Sequence, residues 1–413
     1  MADVVVDRDA LQRRTLQVLG ASQVLGSAGL TSGITVGGLI AKDLLGGDTW
    51  AGLATASLTI GSALGSARLS QLMVRRGRRP GLVTGYLLGA TGALACIAAT
   101  EARWFWLLVV GSILLGCGQA SNLLARYAAA DLARPERRAQ AISMLVFMST
   151  FGAVAGPVLV GAGEALGRAV GIDELAGPYL FSIVFFACAA VMTTVRLRPD
   201  PLVVAGGVQR DGPRQRLELR RTLHMIGAHP SARLALAAMA TSQAVMVAVM
   251  TMTPLHMKDH DHSVPLIGLV IAVHIAGMYA LAPVVGRLTA SYGSVVMIGV
   301  GGAVLATSTV VTALAGAAPP LLFVGLFLLG LGWSIGLIAG STLLSGAIAL
   351  EQRARAQGAA DLCMSLAGGT AGLASGFVKS SLGFHTLANL GTLAAGGLLV
   401  VAYMARRRTV AAA

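Results

Sequence analysis

The stretch Ser70-Gln71-Leu72-Met73-Val74-Arg75-Arg76-Gly77-Arg78-Arg79 decides how this chain is read. Four arginines around one glycine separate two apolar runs, 50–73 and 80–100. A run of about 20 apolar residues is the length a helix needs to cross the bilayer hydrocarbon. The pattern is therefore helix, tight basic turn, helix. A short loop this rich in arginine belongs on the cytoplasmic side of a membrane.

The whole chain extends that pattern. Of 413 residues, 55% are hydrophobic and 12% charged, with mean hydropathy +0.75. Soluble domains carry about 25% charged residues. The composition excludes a soluble enzyme, a disulfide-rich secreted domain and a disordered chain. Twelve spans are predicted: 16–41, 50–73, 80–100, 104–130, 139–163, 176–196, 232–256, 264–289, 294–316, 319–348, 356–379 and 384–405. With both termini in the cytoplasm, 24 Lys and Arg fall in inner loops and 5 in outer ones, and this bias sets the predicted orientation. The net charge of +13 then serves topology, and nucleic acid is not an expected partner. Cys96, Cys117, Cys188 and Cys363 lie within apolar runs and read as small packing residues. Early charges such as Asp7, Arg8 and Arg13, followed by an overlong apolar run, lead us to expect no cleavable signal.

The longest polar stretch, 197–231, divides the chain into an N-terminal half, 1–196, and a C-terminal half, 232–413. Its Pro, Gly and Arg content is that of a linker. Arg214, Arg216, Arg220 and Arg221 fit either a helix on the anionic inner leaflet or a solvated segment. The halves echo each other. Leu114-Leu115-Gly116 returns as Leu328-Leu329-Gly330, and Arg138-Ala139-Gln140 as Arg355-Ala356-Gln357. Such weak internal symmetry is expected of parallel-repeat transporters.

The basic loop at 70–79 and its echo, Gly286-Arg287-Leu288-Thr289-Ala290-Ser291-Tyr292-Gly293, resemble the G-x-L-x-D-R-x-G-R-R loop of the major facilitator superfamily. Gly152, Gly156, Pro157 and Gly161 in the fifth span resemble the Gly-Pro motif of its twelve-span drug:proton antiporters. The resemblance implies an all-α polytopic membrane protein, with twelve transmembrane helices in two pseudo-symmetric six-helix bundles. It implies that the fifth span packs against the eighth. A generic glycine packing face is the other reading of the same residues. Two departures stand out. The motif's acidic position is Val74 in the first loop and Ala290 in the second, so both acidic latches are missing, although Arg78 keeps a candidate partner in Asp131. The fourth-span arginine of proton-coupled members, near Ser112, is also absent.

The family lines its cavity with spans one, four, seven and ten. That carries Gln23, Gln119, Asn122, Gln243 and Trp333 toward the transport path, with Met246 and Met250 as an adaptable apolar wall or as ordinary packing. Intramembrane titratable groups are expensive and usually functional. His274, mid-span, is the candidate proton carrier, against a neutral core histidine bonded to a carbonyl. His256 is a candidate pH-sensing residue near the outer side. His256, Asp259, His260 and His262 have spacing compatible with a transition metal, against a solvated polar turn.

The sequence reading is a multi-pass cell-membrane protein whose partners are a small-molecule substrate, protons and lipid, with no cofactor. The Gly-Pro motif favours proton-coupled export of apolar or amphipathic compounds. The missing latch and arginine leave room for proton-linked or facilitated uptake of a metabolite. An enzyme or sensor built on a transporter fold is the reading from another class, and it lacks a set of reactive groups. The chain has no G-x-x-x-x-G-K-[S/T] loop to bind ATP. Oligomeric state is not legible.

Overall fold

In lipid an apolar segment must satisfy its own backbone polar groups, and within one segment only a helix does so. The structure, a computed structural model, describes residues 7–45, 51–209, 219–316 and 318–411, and the regular structure among them is helical. In chain order the elements are α1 (Arg8–Leu45), α2 (Ala51–Arg76), α3 (Arg78–Glu101), α4 (Phe105–Ala128), α5 (Arg138–Val158), α6 (Val160–Val170), α7 (Pro178–Arg196) and α8 (Pro201–Val204). They continue with α9 (Leu219–Ala228), α10 (Pro230–Asp259), α11 (Val264–Tyr279), α12 (Ala282–Tyr292), α13 (Ser294–Ala315), α14 (Pro319–Ala347) and α15 (Leu350–Ala411).

The protein is all-α and polytopic. Among the described residues ten helical stretches are long and apolar enough to cross a membrane, where twelve were expected. α2 is not among the ten, and α15 counts once although Gly383, at φ 83, breaks it between the expected eleventh and twelfth spans. Two expected spans are interrupted. The fifth divides at Leu159, just after Gly156-Pro157. The eighth divides between Tyr279 and Ala282, because Pro283 has no N–H to continue the ladder.

By contacts the chain forms two units. One comprises Met1–Ala141, Met148–Leu219 and Ala349–Leu362; the other comprises Ile142–Phe147, Arg220–Ile348 and Cys363–Ala413. The first unit thus includes a short segment of α15 from the C-terminal half. Within the expected linker, Arg214 and Arg216 lie outside the described residues. The remainder is partly built. Asp200 caps α8, Leu202 is buried, and Arg220 and Arg221 lie exposed on the ten-residue α9. Cys188 is exposed, unlike the packing role expected of it.

Each unit uses glycine to bring two helices into backbone contact, and the two contacts are counterparts. In the first, a Cβ on Gly61 of α2 would strike the Ile113 carbonyl, and one on Gly116 of α4 the Leu58 carbonyl. In the second, Gly277 of α11 meets the Phe327 carbonyl, and Gly330 of α14 the His274 carbonyl. The Leu-Leu-Gly repeat therefore marks the same close approach twice. Such small-residue faces suit membranes, where helices associate through close packing and not through water exclusion.

Candidate transport path and buried charge network

The first unit gathers neutral polar groups around α1 and α4. Gln23 donates from Nε2 to Ser149 Oγ at 2.9 Å, tying α1 to α5, while its Oε1 has no partner among the described residues. Asn122 is buried, and neither Nδ2 nor Oδ1 is bonded among the described residues. Its Oδ1 lies where a Cβ on Gly26 would sit, and the hydroxyl of buried Tyr86, likewise without a partner among the described residues, belongs to the ring beside the same glycine. Gln119, half-buried, precedes Asn122 by three residues and shares its helix face. Buried amides without partners are costly in a folded protein, so this set is suited to bonding a polar solute.

The second unit holds a polar and aromatic group of its own. Trp333 Nε1 on α14 donates to Gln243 Oε1 on α10 at 2.6 Å. Tyr279 of α11 stands edge-on to Trp333, with ring centroids 5.8 Å apart. Gly368 of α15 leaves room for Gln243, since a Cβ there would lie 2.9 Å from Gln243 Cγ. Met246 is buried and Met250 half-buried on the same helix as Gln243. Tyr279 was not anticipated. Its signal was an intramembrane tyrosine just before a proline break.

His274, His256 and His260 each have a bonded ring nitrogen. His274 is buried; its Nδ1 bonds the Leu326 carbonyl at 2.9 Å, and its Nε2 has no hydrogen-bond partner among the described residues. A carbonyl only accepts, so Nδ1 carries the hydrogen. His256 Nε2 bonds the Gly316 carbonyl at 2.9 Å, and its ring stacks on Phe384 at 4.1 Å. His260 turns its Nδ1 back to the His256 carbonyl at 2.8 Å, and Asp259 pairs with Lys379 at 2.5 Å. His256 and His260 stay close, with ring centroids 4.4 Å apart, but each already has a bonded ring nitrogen. Among the described residues no three His, Cys, Asp or Glu side chains converge as a metal site.

The basic loop is more heavily built than the sequence suggested. Gly77, at φ 94, turns the chain between α2 and α3, and Gly293, at φ 85, does so between α12 and α13. Gly286 is buried on α12. Arg78 is fully buried. Its Nε and Nη2 reach Asp131 Oδ2 and Oδ1 at 2.7 and 3.0 Å, and Nη2 also reaches Gln357 Oε1 at 2.7 Å. Asp200 caps α3 from a distance, accepting from the backbone N–H of Arg78 and Arg79 at 3.1 and 2.7 Å. Val74, where the family carries its acid, packs with Leu202 and Ala354 in an apolar cluster. The missing carboxylate is thus answered by hydrophobic contact at its own position and by Asp200 at the neighbouring helix end.

A second buried ion pair went unread in the sequence. Arg126 Nη2 of α4 meets Asp361 Oδ1 of α15 at 2.5 Å, with both side chains almost wholly enclosed. The Tyr127 hydroxyl lies 3.4 Å from the same oxygen and 3.2 Å from Arg126 Nη2. The available signal was two opposite charges, each alone in an apolar run.

The fifth-span glycines close on α1. The atoms nearest a Cβ on Gly152 belong to Ser27, Val24 and Ala28, those nearest Gly156 to Thr31, and Gly161 has open space. Thr31 Oγ1 donates to the Gly152 carbonyl at 2.9 Å. The partner face shown for these glycines is therefore α1, where the resemblance implied the eighth span.

Comparison with known proteins places this geometry. A family model described as Major Facilitator Superfamily matches residues 18–263 and again 234–413. The chain is similar to the uncharacterized MFS-type transporter YdeG of Bacillus subtilis (strain 168), 38% identical over 409 residues, covering 97% of this chain and 93% of that protein. It is similar to the riboflavin transporter RfnT of Brucella anthropi, 29% identical over 381 residues, covering 90% of this chain and 89% of that one. Its fold resembles the crystal structure of the human organic anion transporter MFSD10 (TETRAN), with TM-score 0.74 and 16% identity over 95% of this chain and 99% of that chain.

Proposed function

Because this chain belongs to the major facilitator superfamily, we propose that it is a secondary active transporter that takes up an uncharged or weakly polar organic metabolite, linked to protons. It is a transporter and not an enzyme. The observation that carries the substrate reading is the Gln243–Trp333 hydrogen bond with Tyr279 beside it. The Gln243 amide and two aromatic rings suit a flat, hydrogen-bonding solute, and the first unit, taken by itself, offers the neutral polar groups of Gln23 and Asn122. No charged side chain belongs to either group. The similarity to a riboflavin transporter supports solutes of that kind. The arginine bias of the loops supports cytoplasmic termini.

A second reading is export of amphipathic compounds, favoured by the Gly152–Gly161 sequence. One experiment separates the two. The protein is reconstituted in liposomes of known orientation, an inward or outward proton gradient is imposed, and riboflavin and ethidium are followed by fluorescence together with lumenal pH. Riboflavin accumulating with protons supports uptake. Ethidium moving against protons supports export and rejects the first reading.

A further inference from the structure

Five charged side chains among the described residues are buried, Arg78, Arg126, Asp131, Arg353 and Asp361, and all belong to the first unit. Arg78 at the start of α3 and Asp131 just past the end of α4 neutralise each other. Arg126 and Asp361 are different in kind, because Asp361 arrives on the 349–362 segment of α15. An arginine does not surrender its proton in a protein, so only the carboxylate of this pair can become neutral. The surroundings are unequal in the same sense. Arg126 has partners that outlast the pair: the Leu123 carbonyl, the Tyr127 hydroxyl at 3.2 Å, and the face of the Tyr127 ring at 4.3 Å. Among the described residues, the bonds of Asp361 go to Arg126 and Tyr127.

We propose that Asp361 is a proton-binding site of this transporter, and that its protonation frees the 349–362 segment from α4. The proton comes from water and forms a neutral carboxyl group, while Arg126 keeps its charge and stays bonded to Leu123 and Tyr127. Leaving the pair as an ion would strand a carboxylate in an apolar setting, whereas leaving as a neutral acid does not. Proton binding and release are thus one linked equilibrium. The charged or titratable groups that act on Asp361 are Arg126 and Tyr127 of α4 and Arg78 of α3. Arg353 lies two turns earlier on its own helix, under the influence of Arg78, Asp131, Arg138 and Glu351. The segment is seated by two further contacts on the same stretch. Gln357 accepts from Arg78, and Gly358 fits where any Cβ would strike Ser70 Oγ. The use of this site in transport rests on the proton-linked reading above.

The test uses the full-length protein in liposomes. Hydrogen exchange of the peptide spanning 349–362, corrected for its intrinsic pH dependence, should rise as pH falls, by up to about tenfold per pH unit for one linked proton. Asp361→Asn should hold exchange high with no slope, Asp361→Glu should restore a slope, and His274→Ala should leave it as in the wild type. Infrared difference spectra between acid and alkaline pH should show a protonated carboxyl band that Asp361→Asn lacks. A slope and band that survive in Asp361→Asn overturn the proposal. Proton-driven riboflavin or ethidium flux that persists in that variant also overturns it and leaves the proton-linked reading standing. A wild type with the slope and band, but with flux indifferent to the proton gradient, keeps the proton site and rejects the proton-linked reading.

Discussion

Asp131 grips Arg78 with both carboxylate oxygens, at 2.7 and 3.0 Å, where neither side chain meets solvent. Two buried charges that satisfy each other are tolerated; one left alone is not. Removing either partner of a buried pair costs about 3–5 kcal/mol, while replacing both by apolar groups is often nearly neutral. Asp131→Asn and Arg78→Leu should each lower the apparent melting temperature in detergent sharply, and Arg78→Leu with Asp131→Leu should recover much of the loss. Arg78→Lys should behave like a loss, because an ammonium cannot reproduce the two-pronged bond and also reach Gln357.

Asp200 serves two helix starts with one carboxylate. It accepts from Arg78 and Arg79 at the head of α3, and from Leu202 and Val203 at the head of α8 at 2.9 and 3.3 Å. Loss of one such cap costs roughly 1 kcal/mol. Asp200→Ala should therefore destabilise by about 1–2 kcal/mol and expose the turn at Gly77 to proteolysis, with cleavage mapped by mass spectrometry. Asp200→Asn, which keeps an acceptor oxygen, should protect that turn better than Ala.

What the sequence made legible was what lies close along the chain or repeats. Gly77 and Gly293 could be read as turns because a basic loop and its echo flank them. Arg78 and Asp131 could be matched because each stood at the end of a neighbouring span. Arg126 and Asp361 could not, since 235 positions separate them and only packing shows that α15 brings one to the other. Among the described residues ten spanning stretches stand against the twelve read from the sequence, because α2 is not among them and α15 counts once across Gly383. In the histidine loop, spacing says nothing of direction, so the partners of its side chains were not legible. The His256 ring is spent on Gly316 and Phe384, and Asp259 on Lys379.

The paired glycine contacts predict a contrast among glycines that look alike in the sequence. A Cβ at Gly330 would land on the His274 carbonyl, and one at Gly116 on the Leu58 carbonyl, both backbone atoms that cannot swing aside. Overpacking of this kind costs about 1–3 kcal/mol even for small additions. Gly330→Ala and Gly116→Ala should lower thermal stability in that range, and the valine variants should fail to accumulate as folded protein. Gly161 of α6 meets nothing within 4 Å, and Gly161→Ala should raise stability by up to about 1 kcal/mol through helix propensity alone.

The Gln243–Trp333 bond makes the sharpest statement about the transport path. At 2.6 Å it fixes the indole and commits the amide oxygen of Gln243. Trp333→Phe keeps an aromatic face and removes the donor, so Gln243 is free to rotate; Gln243→Leu keeps the shape and removes the amide. If both residues meet the transported compound, each change should weaken binding of that compound by roughly tenfold while shifting thermal stability little, since a neutral hydrogen bond is worth about 1 kcal/mol. The double variant should lose less than the two single losses combined, because the second change removes a group already misdirected by the first. Calorimetric titration of the four proteins with the compound that the liposome assay identifies gives the cycle directly. Strictly additive losses would mean that the two side chains act separately, and unchanged affinity in all three variants would move the binding site away from α10 and α14.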